Sequence, residues 1–166
     1  MTTEHRKISY PWTSGDASHS LELVHVSGTA GSPYSFGENE RPRSVEVADF
    51  FISVVPTTQA LWTHVMGVGR NPAMGRGDRR PVENVSWDDV VGKGGFLDHL
   101  NASPVREAIL AQLGGRVNKS FRLPSETEWE SAARGGPYRR DDFTFSGGND
   151  SVSCRVTTIR LRYRTP

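Results

Sequence analysis

The helical segments that this sequence predicts are all short, because a capping residue and a glycine bound each of them within about a dozen residues. The chain has 166 residues, of which 17 are glycine and 10 are proline, and this content favours a loop-rich domain over a helical bundle. Residues 21–28 and 43–53 alternate apolar and polar side chains, as strands do. We therefore expect an α+β domain with short helices and small antiparallel sheets.

Helix starts and stops can be read at three places in the middle of the chain. Thr57 is expected to cap a first helix that ends at Gly67. Ser86 and Asp89 stand three residues apart, which is an acidic variant of the capping box. We predict helices over residues 57–67, 86–100 and 103–114, the last of them lying on the surface.

The stretch "FRLPSETEWESAARGG" raises the question of whether its glutamates are catalytic acids. Ser125 and Glu128 form a capping box, and Glu126 and Glu130 also lie near the first turn, where the helix dipole favours anions. Trp129 is expected on the face that packs. Since catalytic carboxylates would have to face one cleft in different environments, we interpret these glutamates as structural.

Charge and composition limit the function classes. The formal net charge is +1, so no overall field favours nucleic acid or a membrane as a partner. No apolar run approaches the length of a membrane span, and a cytoplasmic protein is expected. The glycine- and arginine-rich residues 67–80 lack the order of a phosphate-binding loop and are interpreted as a solvated loop. The histidines show no metal-ligand spacing: His5, His19, His25, His64 and His99.

Two motifs in order, "RPVENVSWDDV" and then "FRLPSETEWESAARGG", resemble the paired signature of the sulfatase-modifying-factor, or formylglycine-generating-enzyme, family. The resemblance implies a variant of the C-type-lectin-like fold. It assigns a structural role to the motif positions Ser86, Trp87, Asp88, Arg122, Leu123, Pro124, Glu126, Glu128, Trp129, Glu130, Arg134 and Gly135.

The family's activity depends on residues further along the chain. The resemblance implies an oxygen-dependent oxidase that converts a cysteine of a protein substrate, such as a sulfatase, to formylglycine. It also implies copper held by a cysteine pair, and calcium as a structural ion. The G-N-x-W-E-W and R-G-G-S motifs of the family are absent from this chain, so no catalytic, cofactor-binding or metal-binding residue is assigned. The chain is expected to be inactive alone, and a non-catalytic lectin-like binding or scaffold domain is the alternative.

Three regions are expected from these patterns. Residues 1–20 are interpreted as a loose polar arm, residues 21–150 as a family domain without its C-terminal part, and residues 151–166 as a divergent basic tail. The tail holds Cys154, the one cysteine of the chain, and a lone thiol cannot form a copper site that needs two. A partial domain should also leave the faces of its tryptophans incompletely covered.

Overall fold

The computed structural model describes residues 6–29, 34–36, 43–114 and 119–136. These residues divide into two compact units, the first from residues 6–26, 50–114 and 119–124 and the second from residues 27–29, 34–36, 43–49 and 125–136. Strands of the first unit are β1 (Lys7–Ser14), β2 (Ala17–Val26) and β5 (Phe50–Ser53), and its helices are α1 (Gln59–Met66), α2 (Trp87–Val91), α3 (Phe96–Asn101) and α4 (Pro104–Gln112). The second unit contains β3 (Tyr34–Phe36), β4 (Arg43–Val45) and α5 (Glu126–Ala133).

Both sheets are small and antiparallel. The first has the order β1-β2-β5, and the second pairs β3 with β4. Short helices with two small antiparallel sheets are what the sequence predicted, so the α+β class is confirmed. No helix in the described part of the chain is long and apolar enough to cross a membrane.

The N-terminal hairpin corrects the first regional prediction. Strands β1 and β2 pair over their whole lengths around a two-residue turn at Gly15 and Asp16, where Gly15 has a φ of 57°. Ile8 and Trp12 of β1 are buried in the core. The expectation of a loose arm over residues 1–20 is therefore wrong for residues 7–20. Alternate apolar residues of β1 face the core, as in any strand with one buried face. The segment was interpreted as an arm because the residues between them are polar.

The core of the first unit joins the hairpin to three helices. At its centre the rings of Trp62 and Phe96 stack with centroids 4.9 Å apart and an interplanar angle of 4°. Trp62 also donates its indole N–H to the carbonyl of Arg70 at 2.8 Å. The buried apolar residues of this core are Ile8, Trp12, Leu21, Leu23, Ala60, Leu61, Trp62, Phe96, Leu100, Val105 and Ile109.

Helix α4 packs against the core and also covers the edge of β1. The helix lies at the surface, as the sequence predicted: Glu107 and Gln112 are exposed, while Val105 and Ile109 on its inner face are buried. The side-chain amide of Gln112 accepts from Ser9 N–H at 3.2 Å and donates to Ser9 C=O at 2.7 Å, as a neighbouring strand would. Two residues further along β1, Pro11 has no N–H to offer. The edge is thus protected from pairing with another chain.

The middle helices differ from the expected single helix over residues 86–100. Ser86 and Asp89 form the expected capping box at the start of α2, but the helix stops at Gly92. Glycines between 92 and 95 break it, and Gly94 has a φ of 74°, which a helix does not allow. Helix α3 then begins at Phe96.

At α1 the predicted stop was right and the predicted cap was wrong. Gly67 ends the helix with a φ of 100°. The cap is Thr58 and not Thr57, because it is the Thr58 hydroxyl that accepts from Leu61 N–H at 3.2 Å.

Residues 43–53 do not form the expected continuous strand, because β4 ends at Val45 and β5 begins at Phe50. Val47 exchanges backbone and side-chain hydrogen bonds with Thr29, each of 2.8 Å, and Gly28 N–H donates to the Asp49 carboxylate at 2.7 Å. These bonds hold residues 47 and 49, which follow the end of β4, to residues 28 and 29.

Helix α5 has the predicted capping box between Ser125 and Glu128. Trp129 does not lie on a buried face, however, since 51% of its surface is exposed, and Ser131 is the buried residue of this helix. Arg134 pairs with Glu130 one turn earlier, with 2.8 Å between Nε and Oε1. Cys154 and residues 137–166 lie outside the described residues.

Candidate ligand pocket

A polar pocket of about 410 Å³ opens in the first unit, where the hairpin meets the segment after α1. This volume lies toward the small end of ligand sites. Its described lining residues are Ser18, His19, Ser20, Thr58, Asp78 and Arg79.

The segment that carries Asp78 and Arg79 is organised around the buried side chain of Gln59, which is 2% exposed. The amide of Gln59 donates to Gly75 C=O at 2.8 Å and to Pro81 C=O at 3.2 Å. Its oxygen accepts from Asn71 Nδ2 at 3.0 Å and from Gly77 N–H at 3.2 Å. Residues 67–80 form the loop that the sequence predicted, with Met74, Asp78 and Arg79 among its exposed residues. The amide of Gln59 fixes the path of residues 71–80 within it.

The first turn of α1 fixes the same segment from its backbone. Helix N-termini have N–H groups without partners inside the helix. Here Gln59 N–H donates to Arg80 C=O at 2.8 Å, and Ala60 N–H donates to Asp78 C=O at 3.1 Å. Hydrogen bonds within the protein thus fix the backbone of Asp78 without any ligand.

His19 lines the pocket and lies beside Asp78, and its side chain is the more buried of the two. Its side chain is only 8% exposed, and its Nε2 atom is buried without a hydrogen-bond partner. Nε2 lies 3.8 Å from Oδ2 of Asp78, whose side chain is 68% exposed. This distance exceeds that of a hydrogen bond, and a buried polar atom without a partner costs free energy.

The side chain of His19 packs against an aromatic stack. The ring of Trp12 stacks on His19 and on His64, with centroids 5.5 Å and 4.9 Å away. The hydroxyl of Tyr10 lies 3.4 Å from Nε2 of His64. Burial lowers the pKa of His64 from its ordinary value, and the nearby charge of His19 lowers it further. The stack therefore favours neutral His64.

The family-motif residues lie elsewhere, and none of them is among the described lining residues of this pocket. Those of the first motif begin α2, where hydrogen bonds from Ser86 lower the pKa of Asp89. Arg122, Leu123 and Pro124 precede α5, and the remaining motif residues belong to α5 and its end. Their structural role stays a prediction.

Comparison with known proteins decides the family. Residues 18–164 match the model of the family described as the sulfatase-modifying factor enzyme 1-like domain. The chain belongs to this family. The resemblance read from the two motifs is thus confirmed.

Two relatives show the extent of this sulfatase-modifying-factor domain. The chaperone protein LppX of Paenibacillus barcinonensis is 32% identical over 165 residues, covering 83% of this chain and 54% of that protein. The chain therefore spans about half the length of this curated relative. Among solved structures, Treponema denticola variable protein 1 is similar with a TM-score of 0.58 at 24% identity, covering 87% of this chain and 62% of the other. That likeness supports the fold alone.

The copper site that the family implies does not fit the donor set of this chain. Copper(I) prefers thiolate ligands, and the implied site takes two of them. The whole sequence contains one cysteine, Cys154. For calcium, the described residues contain no group of three or more His, Cys, Asp or Glu side chains that could hold a metal ion.

Sequence reasoning missed the pocket because five of its six described lining residues came from an expected arm and an expected loop, and the sixth, Thr58, from a helix start. One signal was present: Ile8, Tyr10 and Trp12 alternate before "SGDA", and a Gly-Asp pair is a known two-residue hairpin turn. That hairpin would have placed His19 opposite Trp12.

Proposed function

We propose that this chain is a non-catalytic binding domain of the sulfatase-modifying-factor family and that its partner is a polypeptide. One observation carries the proposal: 166 residues contain a single cysteine, and the family's oxidation chemistry implies a pair. A lone thiol leaves this chain with the family's architecture and without its copper ligands.

Two arguments support a polypeptide as the partner. The family resemblance implies a cysteine-containing protein substrate such as a sulfatase, and the relative from Paenibacillus barcinonensis is named a chaperone protein. We further propose a C-type-lectin-like scaffold, in which loops carry binding and the fold does not dictate chemistry. A cytoplasmic location, with neither nucleic acid nor membrane as a partner, belongs to the same proposal.

An exposed tryptophan gives the proposed domain a contact residue and a reporter. Trp87 at the start of α2 is 58% exposed, and tryptophan is enriched at protein interfaces. Its fluorescence responds to the polarity of its surroundings, so an interface that covers it should shift the emission to shorter wavelength.

The second candidate is the formylglycine-generating activity itself, which family membership favours. Both candidates are tested on the full chain. In the first arm, the copper-loaded protein is incubated with a cysteine-bearing peptide and oxygen, and mass spectrometry measures aldehyde. We expect none, for the chain and for Cys154→Ser alike. Oxygen-dependent aldehyde formation by this chain would overturn the proposal.

In the second arm, a reduced and alkylated unfolded polypeptide is titrated into the protein while tryptophan emission is recorded. We expect saturable binding with a blue shift, and a smaller shift in Trp87→Phe. The absence of saturable binding would equally overturn the proposal, because a domain with neither activity nor partner is not a binding domain.

A further inference from the structure

The two edges of the sheet in the first unit differ in what they offer to another chain. At the β1 edge, the side chain of Gln112 occupies the backbone groups of Ser9, and Pro11 lacks an N–H. The other edge is β5, which pairs with β2 alone among the described strands. An edge strand presents a row of unpaired N–H and C=O groups unless something blocks it.

The hydrogen bonds of the sheet show which backbone groups of β5 point outward. Val54 N–H donates to Glu22 C=O at 3.0 Å, so every second residue back from Val54 bonds to β2. The β2 residue opposite Phe51 donates in the other direction, to Arg6 C=O at 2.9 Å, which fits this alternation. The N–H and C=O groups of Phe51 and Ser53 therefore point away from the sheet. Within the described residues, no hydrogen bond to these four groups is found.

The sequence of this edge favours pairing. Residues 50–55 read "FFISVV", six aromatic, β-branched or small residues without a charge, a proline or a glycine. Segments of this composition pair readily with other chains, and natural edge strands are usually blunted by a charge or a proline. Here Val54 and Val55 are 47% and 52% exposed, and the first proline, Pro56, follows them.

The two faces of β5 indicate which side chains would suit an added strand. Ser53 lies on the core face, because Leu23 directly opposite is buried. Phe50, Ile52 and Val54 therefore lie on the outer face, where the first two are half-buried and the third is exposed. A strand beside β5 would place every second side chain next to this apolar row. We expect β-branched or aromatic residues at those positions.

The outward backbone groups match an extended polypeptide. Alternate residues of a strand lie about 6.8 Å apart, and each offers one N–H and one C=O on the same side. An extended segment repeats its own donors and acceptors at this spacing. A folded second copy would offer only the four residues of its own β5, whereas an unfolded segment can also extend along Val54 and Val55. The open edge therefore favours an unfolded segment over a second copy.

We propose that β5 binds a segment of an unfolded polypeptide by β-strand addition, through main-chain hydrogen bonds to Phe51 and Ser53. Main-chain bonding tolerates many sequences, which suits a partner that is recognised because it is unfolded. The inference rests on the proposed function, for which it names the binding surface and the conformation of the partner.

A peptide with and without its amide protons tests the main-chain bonds on the full chain. The probe is the labelled peptide Lys-Thr-Val-Thr-Val-Thr-Lys, and the matched control carries N-methyl groups on all residues between the two lysines. Fluorescence anisotropy should show at least about tenfold weaker binding of the methylated form, because methylation removes the donors and keeps the side chains. In NMR spectra, hydrogen exchange at the amides of Phe51 and Ser53 should slow when the unmethylated peptide binds.

Ser53 allows a matched pair of variants. Ser53→Pro removes the outward N–H, which an edge strand tolerates, and should weaken peptide binding at least about tenfold. Ser53→Ala removes only the hydroxyl, which donates to Val55 C=O at 2.6 Å, and should leave peptide binding unchanged. Circular dichroism and tryptophan emission check that each variant is folded. If Ser53→Pro does not fold, the peptide pair on the native chain decides.

Equal affinities for the two peptides, unchanged exchange at Phe51 and Ser53, or full binding by folded Ser53→Pro would overturn the inference. Slow exchange of these two amides in the free chain would also overturn it, because the chain itself would then occupy the edge. A concentration-dependent dimer that Ser53→Pro abolishes would assign the edge to a second copy, against the inference.

The outcomes separate this surface from the proposed function. If the reduced and alkylated unfolded polypeptide binds Ser53→Pro as tightly as the native chain, the assignment to β5 falls and the proposed function stands. If the chain forms aldehyde, the proposed function falls whatever β5 binds.

Discussion

Replacing Gln59 by leucine should destabilise the first unit more than the similar sizes of the two side chains suggest. The amide of this residue is the common partner of Gly75 C=O, Pro81 C=O, Gly77 N–H and the Asn71 side chain. Leucine fills similar space and bonds to none of them. The segment that carries Asp78 would then have to open to water or leave polar groups unsatisfied.

The magnitude follows from the four hydrogen bonds. Each contributes a net of about 0.5–1.5 kcal/mol, which gives about 2–6 kcal/mol for the set. Part of the segment is at the surface, where freed groups regain water, so we expect a loss of about 2–4 kcal/mol in the free energy of unfolding.

Urea denaturation at 25 °C, followed by tryptophan emission, measures the loss. Gln112→Leu is the matched control, because its amide bonds to β1 at an exposed edge, and we expect about 1 kcal/mol or less there. Gln59→Glu adds a second measure. Its carboxylate would face two carbonyls when ionised, so its destabilisation should be larger at pH 7 than at pH 4. A loss below about 1 kcal/mol for Gln59→Leu would refute the role of this amide.

Three further predictions concern other parts of the chain. Trp62→Ala should cost about 3–5 kcal/mol and Trp129→Ala about 1–2 kcal/mol, because 3% of the first and 51% of the second is exposed; equal losses in urea denaturation would contradict this. Gly28→Ala should cost about 1–3 kcal/mol, since a Cβ there would lie 2.3 Å from Val47 O, and an unchanged urea midpoint would refute the close approach. The lowered pKa of His64 means that the unfolded chain takes up its proton first as the pH falls below 6.5. Stability should therefore fall from pH 7 to pH 5, and urea midpoints should show a smaller fall in His64→Gln; an identical fall would count against the shift.

Local signals predicted the helix starts well, because a cap depends on residues only three positions apart. Ser86 with Asp89 and Ser125 with Glu128 both form the capping boxes that their spacing indicates. The extent of each element was less predictable. The helix after Ser86 stops early because glycine backbone entropy and a positive φ at Gly94 outweigh the apolar periodicity around them.

The fold of the N-terminal residues depends on contacts that no local pattern contains. Polar residues dominate the segment, yet Trp12 pairs with His19 across the hairpin and stacks on His64 of α1. Burial of one aromatic side chain by residues far along the chain turned an expected arm into part of the core. Conversely, the helical pattern predicts that Trp129 packs against the core, yet about half of its surface is exposed.

The candidate site shows why chemistry was harder to predict than fold. Gln59 is buried because its amide is fully bonded, and His19 is buried although its Nε2 is not. Hydrophobic periodicity cannot reveal either residue, because both are polar. The burial of Gln59 depends on hydrogen-bond partners up to 22 positions away, and that of His19 on the ring of Trp12 across the hairpin. The motif that identifies the family therefore fixes caps and turns, whereas the pocket is built from the hairpin and the segment after α1.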